Sequence, residues 1–236
     1  MDLDKLFFKA QILESTNQPD KICNLMETFV KNKKTDLTTE ERDLFSNCFK
    51  QKISQLRASC SKISEIYQTE TRKKCTSLHL VKKLKEDIEN ELKTSCLFVI
   101  DLLDKFLIPN SVKNKESSVL YYKLKGDYYR YLSTFFESKE FSQNALVSYK
   151  KSTELAESLS PINPIKIDLA LSFSVFNYDV LKNTEDAISI ATEALNEGVE
   201  RLNEISDVDA KDASISLQML KDNLENWNKE TEVDDI

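Results

Sequence analysis

The sequence predicts an all-α fold of about nine antiparallel helices. The 236 residues include only two glycines and four prolines, so tight turns and β-hairpins have almost no residues to form them. Apolar residues recur at helical spacing nearly throughout, and the breaks fall at short polar or proline-bearing stretches. Since no connection is long enough for an interdomain linker, we expect one domain, a single helical array over residues 1–229.

Polar breaks and capping residues define the first four helices. The third helix opens at Thr38, whose hydroxyl can cap it, and Glu40 and Glu41 place carboxylates near its positive end. The fourth helix ends before Pro109, since proline removes a backbone donor. The predicted ranges are about 2–16, 22–33, 38–67 and 72–107.

The C-terminal half is predicted to contain five more helices. The fifth contains the segment Lys123–Leu132, and the seventh starts at Pro164 after a turn that also holds Pro161. Thr184-Glu185-Asp186 is predicted to cap the eighth helix. The sixth, seventh and ninth are predicted over about 140–159, 164–181 and 209–227, and residues 230–236 form an acidic tail that we expect to be disordered.

Charge and cysteine usage exclude several classes of function. The formal net charge of −7 and the pI near 5.0 argue against a protein that coats nucleic acid or lies on an anionic membrane. The five cysteines are irregularly spaced and include no C-x-x-C pair, so neither a disulfide framework nor a zinc site is indicated. We expect reduced, mostly buried thiols at Cys23, Cys48, Cys60, Cys75 and Cys96.

The chain shows no pattern of secretion, membrane insertion or catalysis. No apolar run approaches membrane-spanning length and the N-terminus does not resemble a signal peptide, so we expect a soluble cytoplasmic protein. His79 is the only histidine, and no glycine-rich nucleotide loop or activated nucleophile is recognisable. The expectation is a protein without enzymatic activity, cofactor or metal.

The segment Lys123–Leu132 (KLKGDYYRYL) places two cations, a carboxylate and a phenol on one helical face. Asp127 follows Lys123 by four residues and precedes Arg130 by three, so it is within reach of both cations and would orient Arg130. An oriented guanidinium beside the Tyr131 phenol suits a phosphate oxyanion. Ordinary ion pairs on a solvated helix would give the same spacing.

Two further cations lie seven residues apart in the third helix, at Lys50 and Arg57. That separation is two helical turns along one face. If the third and fifth helices line one concavity, these two side chains converge with Arg130 and the Tyr131 hydroxyl. Three cations around one small volume repel each other, so a dianion is the natural occupant.

Four separated segments resemble the 14-3-3 protein family and occur in the family's order. They are KFLIPN (105–110), KLKGDYYRYL (123–132), LALSFSVFNYDVL (169–181) and LKDNLENW (220–227). The likeness extends from Lys9 to Trp227. The resemblance implies a nine-helix protomer whose concave amphipathic groove binds extended phosphoserine or phosphothreonine segments of client proteins, and so regulates their activity or location.

The resemblance also implies roles for individual residues. The phosphate would be held by Lys50, Arg57, Arg130 and Tyr131. The peptide groove would be formed by Lys123, Leu171, Ser172, Val175, Asp179, Met219, Asn223, Asn226 and Trp227. Ser172 replaces a backbone-binding asparagine of the family, and Ser216 and Asn226 are polar where the family is apolar, so we expect retained phosphate binding with altered sequence choice. The alternative is a scaffold of the same fold whose binding no longer depends on phosphate.

Family members dimerise through the first helix of one protomer against the third and fourth of the other. The corresponding interface candidates here are Ile12, Lys21, Lys62, Asp87 and Glu91. Lys21 and Asp87 reverse the family's charge pair, so a mixed dimer with an ordinary member would juxtapose like charges and is disfavoured. A homodimer is left open, because the charge of Lys62 in an apolar position weakens the interface.

Overall fold

The computed structural model describes residues 2–16, 18–74, 76–136, 138–201 and 207–234, with backbone alone for 207–212 and 231–234. Within these ranges the chain forms nine main helices and no strand, which confirms the predicted all-α fold. Backbone contacts group the chain into two compact units, residues 1–113 with 134–137 and residues 114–133 with 138–236. A single array over residues 1–229 stays a prediction.

The first unit contains the four N-terminal helices. They are α1 (Leu3–Glu14), α2 (Pro19–Asn32), α3 (Thr39–Arg72) and α4 (Leu78–Leu102), and α4 continues as a π-helical turn (Leu103–Leu107) and a short helical turn (Ile108–Asn110). The Thr38 hydroxyl accepts a hydrogen bond from the Glu41 backbone, and the Glu41 carboxylate accepts one from the Thr38 backbone, so the predicted cap is confirmed. Phe29, Phe45 and Phe49 are buried in the core of this unit.

The second unit contains the five remaining helices. They are α5 (Lys115–Phe135, whose last two residues fall in the first unit), α6 (Lys139–Ala156), α7 (Pro164–Phe176, continued by the π-helical turn Asn177–Leu181), α8 (Thr184–Arg201) and α9 (Asp207–Asp234). Helix α7 contributes to two apolar clusters. Leu171 packs with α8 and α9 residues such as Ala191 and Trp227, whereas Leu169 and Phe176 pack with Tyr149 of α6.

Two local predictions about the C-terminal half differ from the structure. Helix α9 continues to Asp234, so the predicted disorder of the tail is wrong for residues 230–234, and residues 235–236 lie outside the described range. A hydrogen bond from the Tyr178 hydroxyl to the Glu230 carboxylate anchors this last part of the helix. The cap of α8 is Asn183, whose side chain accepts from the Asp186 backbone at 3.1 Å, and not Thr184.

Four of the cysteines are free and buried, as expected: Cys23, Cys48, Cys60 and Cys96. Cys75 lies outside the described residues. Burial raises the pKa of the Cys96 thiol to about 12 and that of Cys60 to about 11, so both are protonated at neutral pH. Across the part of the chain that the structure describes, no helix combines the length and apolar character needed to cross a membrane.

Candidate functional site

Three charged side chains of α5 form a buried ion-pair chain. The Lys123 Nζ lies 3.1 Å from the Asp127 Oδ2, and the Arg130 Nη2 lies 3.6 Å from the Asp127 Oδ1. Only 8%, 7% and 14% of the side chains of Lys123, Asp127 and Arg130 remain exposed, so the pairs are shielded from solvent. The prediction that Asp127 reaches both cations and orients Arg130 is therefore confirmed.

Tyr149 of α6 joins this chain from a neighbouring helix. Its hydroxyl donates to the Asp127 Oδ1 at 2.7 Å and accepts from the Arg130 Nε at 3.2 Å. Its ring stacks on Phe173 with centroids 5.4 Å apart. The approach requires Gly126, because a Cβ at that position would lie 2.8 Å from two ring carbons of Tyr149.

Asp168 of α7 is a second carboxylate partner of Lys123. The Lys123 Nζ donates to the Asp168 Oδ2, and this contact links α5 to α7. The Asp168 side chain keeps 41% of its surface exposed, so it faces solvent while holding a buried ammonium. Sequence spacing did not reveal this partner.

The surroundings keep the buried groups charged. Burial would lower the pKa of Lys123, but Asp127 and Asp168 outweigh it and raise that pKa. Burial would likewise raise the pKa of Asp127, yet Lys123 and Arg130 hold it below its usual value. Burial raises the pKa of Tyr149 well above its usual value, and the negative charge of Asp127 adds to this effect. At neutral pH the network therefore contains two cations, two carboxylates and a neutral phenol.

Tyr131 lies directly beside the oriented guanidinium. The Arg130 Cζ is 4.7 Å from the centroid of the Tyr131 ring, within the range of a cation–π contact. Tyr131 also packs edge-on against Tyr128, with centroids 6.0 Å apart. The guanidinium is thus restrained on two sides, by Asp127 and by an aromatic face, and stands next to a phenol.

The other two predicted phosphate ligands belong to the first unit and lie on α3. Lys50 is exposed and lines a shallow depression of about 450 Å³ together with Ser54 and Ala58. Arg57 is half-buried, and its charge acts on the thiol of Cys96. Both cations are on one helix at the predicted spacing, and their convergence with Arg130 and Tyr131 stays a prediction.

The predicted groove residues of α7 and its π-helical turn differ in burial. Leu171 is buried, and Val175 packs against the same cluster. Ser172 is half-buried and Asp179 is exposed. The predicted shared face of Leu171, Val175 and Tyr178 is confirmed by their common packing cluster.

Helix α9 provides the remaining predicted groove residues. Trp227 is buried and stacks on Tyr178, with centroids 4.8 Å apart. Met219 keeps half of its surface exposed, Asn226 is exposed and Asn223 is half-buried. The buried Trp227 supports the helix, and the exposed side chains are available to a ligand.

All five predicted interface residues lie at the surface of the first unit: Ile12, Lys21, Lys62, Asp87 and Glu91. Ile12 is 52% exposed, and Phe8, one turn earlier on α1, is 63% exposed. Leu80 and Leu84 form a similar exposed apolar pair on α4. The sequence did not lead us to Phe8, Leu80 and Leu84, although Phe8 precedes Ile12 by four residues and Leu80 precedes Leu84 by four.

The chain is similar to known proteins over nearly its whole length. A family model described as 14-3-3 protein matches residues 9–228. "14-3-3 protein 10" of Solanum lycopersicum is 36% identical over 97% of this chain and 93% of its own length. "14-3-3 protein epsilon" of Drosophila melanogaster is 34% identical over 97% and 88%, and "Checkpoint signal transducer rad24" of Schizosaccharomyces pombe is 37% identical over 95% and 84%.

Proposed function

Because this chain belongs to the 14-3-3 family, in which proteins are binding adaptors and not enzymes, we propose that it recognises clients through phosphoserine or phosphothreonine. Extended client segments would bind in the groove, and binding would regulate the client's activity or location. The observation that carries the proposal is the Arg130 guanidinium, which Asp127 and Tyr149 restrain beside the Tyr131 phenol.

A restrained guanidinium favours a phosphate over a neutral hydroxyl. Charge-assisted hydrogen bonds to a planar guanidinium are roughly twice as strong as neutral ones, and little side-chain entropy remains to be lost. Lys50 and Arg57 would add two cations to the same phosphate. A dianionic phosphoserine gains from all three, whereas an unmodified serine gains from none.

The rest of the groove supports altered choice among clients. Ser172 is too short to replace a carboxamide that binds the client backbone. Asn226 is exposed on α9 and gives a polar wall, while Leu171 and Val175 keep apolar surface. We expect phosphate binding with a sequence preference that differs from that of relatives with apolar walls.

The test is fluorescence anisotropy with a labelled mixed pool of phosphoserine peptides and the unphosphorylated copies. We expect binding of the phosphorylated pool at least about 30-fold tighter, since charge-assisted hydrogen bonds contribute about 1.5 to 3 kcal/mol each. Equal affinity for the two pools would contradict phosphate recognition. The phosphate-independent scaffold, favoured by the polar side chains of Ser172 and Asn226, would then be the better description.

We further propose a cytoplasmic homodimer that binds neither nucleic acid nor membranes. The exposed apolar side chains Phe8, Ile12, Leu80 and Leu84 on α1 and α4 support self-association through the first unit. Lys21 would meet Asp87 of the second copy, a charge pair reversed from that of the family. A mixed dimer with an ordinary member would then bring like charges together and is disfavoured.

Lys21→Asp is expected to weaken self-association about tenfold, because two symmetry-related contacts each lose up to ~1 kcal/mol. Sedimentation velocity over a concentration series measures the change. Lys21→Asp/Asp87→Lys restores opposite charges and should recover the association constant. If Lys21→Asp associates like the wild type, the charge pair has no part in the dimer.

A further inference from the structure

Asp168 differs from the other charged members of the ion-pair network because it is more exposed and lies on a different helix. It comes from α7, 45 residues from Lys123 in sequence, whereas Lys123, Asp127 and Arg130 all lie on α5. Asp127 also pairs with Arg130 and accepts a hydrogen bond from Tyr149, and neither contact involves Asp168. Asp168 therefore supplies a second negative charge to an ammonium that already has a carboxylate at 3.1 Å.

That second charge changes the balance of the network. Lys123, Asp127 and Arg130 together carry one net positive charge. Asp168 cancels it, and Tyr149 stays neutral because burial raises its pKa. The side of the site formed by α5 and α7 thus presents no net charge to an approaching anion, although it contains two cations.

Asp168 also lies on the face of α7 that would meet a client. Leu171 and Ser172 follow it by three and four residues, a spacing that places side chains on one helical face. Asp168 is 41% exposed, so the ion pair that it forms with Lys123 lies at the edge of the solvent-accessible surface. A half-exposed charge of this kind is felt within about 8 to 10 Å at physiological ionic strength.

We propose that Asp168 sets the affinity of the groove for phosphorylated clients by holding and neutralising Lys123. The carboxylate makes the site a weaker binder of dianions than its cations alone would give. Release of phosphorylated clients is correspondingly faster. This inference rests on the proposed phosphate-dependent binding.

Asp168→Asn tests the inference because asparagine keeps an oxygen that accepts from Lys123 and removes only the charge. We expect phosphoserine peptides to bind about three- to tenfold tighter to this variant, because the positive charge of Lys123, no longer neutralised by Asp168, acts on a dianion through a water-like medium. The unphosphorylated copies should bind as they do to the wild type. The affinity for the phosphopeptide should also fall more steeply with salt than in the wild type.

Three variants distinguish a specific effect from a general change of charge. Asp168→Glu keeps the charge and should keep wild-type affinity. Glu193→Gln removes an exposed charge from α8 and should leave binding unchanged. In a Lys123→Gln background, most of the gain from Asp168→Asn should disappear, because the ammonium through which it acts is gone.

The outcomes separate this inference from the proposed function. Phosphate preference in the wild type with no tighter binding by Asp168→Asn would overturn the role of Asp168 alone. If Asp168→Asn tightened binding equally in the Lys123→Gln background, Asp168 would not act through Lys123. Its carboxylate would then act directly on the peptide, and the proposed role would be overturned. Absence of phosphate preference in both proteins would remove the proposed function, and the role of Asp168 with it.

Discussion

Replacement of Asp127 by alanine is expected to lower the free energy of unfolding by about 3 to 5 kcal/mol, the usual cost of removing one partner from a buried ion pair. The change removes the Asp127 carboxylate from its contacts with the Arg130 guanidinium and with the Tyr149 hydroxyl. Lys123 keeps Asp168, so the loss falls mainly on Arg130. Urea unfolding followed by circular dichroism measures the change.

Asp101→Ala is a matched control on α4. Asp101 also precedes a lysine by four residues, and its Oδ1 lies 2.7 Å from the Lys105 Nζ. That pair is exposed, with 46% and 65% of its side chains accessible, so its loss should cost less than about 1 kcal/mol. Similar losses in the Asp127 and Asp101 variants would mean that burial of the network contributes nothing to its strength.

The Asp127 variant should also lose a pH dependence that the wild type has. Lys123 and Arg130 hold the pKa of Asp127 below its ordinary value despite burial, so the folded state binds this proton less readily than the unfolded state. The stabilisation is therefore complete above the unfolded pKa of about 3.9 and is lost as the pH falls below it. Between about pH 5 and pH 2, the stability of Asp127→Ala should decline less than that of the wild type.

An Arg57→Ala/Arg130→Ala variant is expected to bind phosphoserine peptides at least about 30-fold more weakly, because hydrogen bonds to charged groups contribute about 1.5 to 3 kcal/mol each. Its affinity for the unphosphorylated copies should stay close to that of the wild type. Anisotropy titrations of both peptide pools measure the two affinities. The preference for phosphate would then have disappeared while the apolar groove remained.

Two comparisons make the arginine result specific. Arg72→Ala/Arg201→Ala removes the same charge from exposed helix ends and should change binding little. Arg57→Lys/Arg130→Lys keeps both charges but loses the planar fork, so an intermediate affinity is expected. If the alanine variant remained folded and kept its phosphate preference, the phosphate would have to bind elsewhere.

The sequence predicted the parts of the site that lie on one helix. Asp127 follows Lys123 by four residues and precedes Arg130 by three, and helical geometry turns that spacing into contact. Tyr149 and Asp168 were missed because they come from other helices, 22 and 45 residues away from their partners. Which helix faces are adjacent depends on tertiary packing, and a single sequence does not contain that information in its spacing.

Helix ends were predicted less well than helix positions. Asn183 and Thr184 are adjacent and both can cap, so local preference did not decide between them. The acidic composition of residues 230–236 favoured disorder, whereas the hydrogen bond from Tyr178 to Glu230 stabilises the extended α9. In both places a contact that local preference does not specify determined the boundary.

The π-helical turn Asn177–Leu181 changes the direction in which the last side chains of the seventh helix point. Each α-helical residue advances about 100°, so Val180 would stay in line with Leu169 while Leu181 would swing away from that direction. A π-helical turn holds more residues, so each advances less and the drift is reduced. Val180 and Leu181 both pack in the cluster that contains Leu169, while Tyr178 reaches the other cluster. The wider turn thus lets one continuous helix contribute side chains to both apolar clusters up to its last residue.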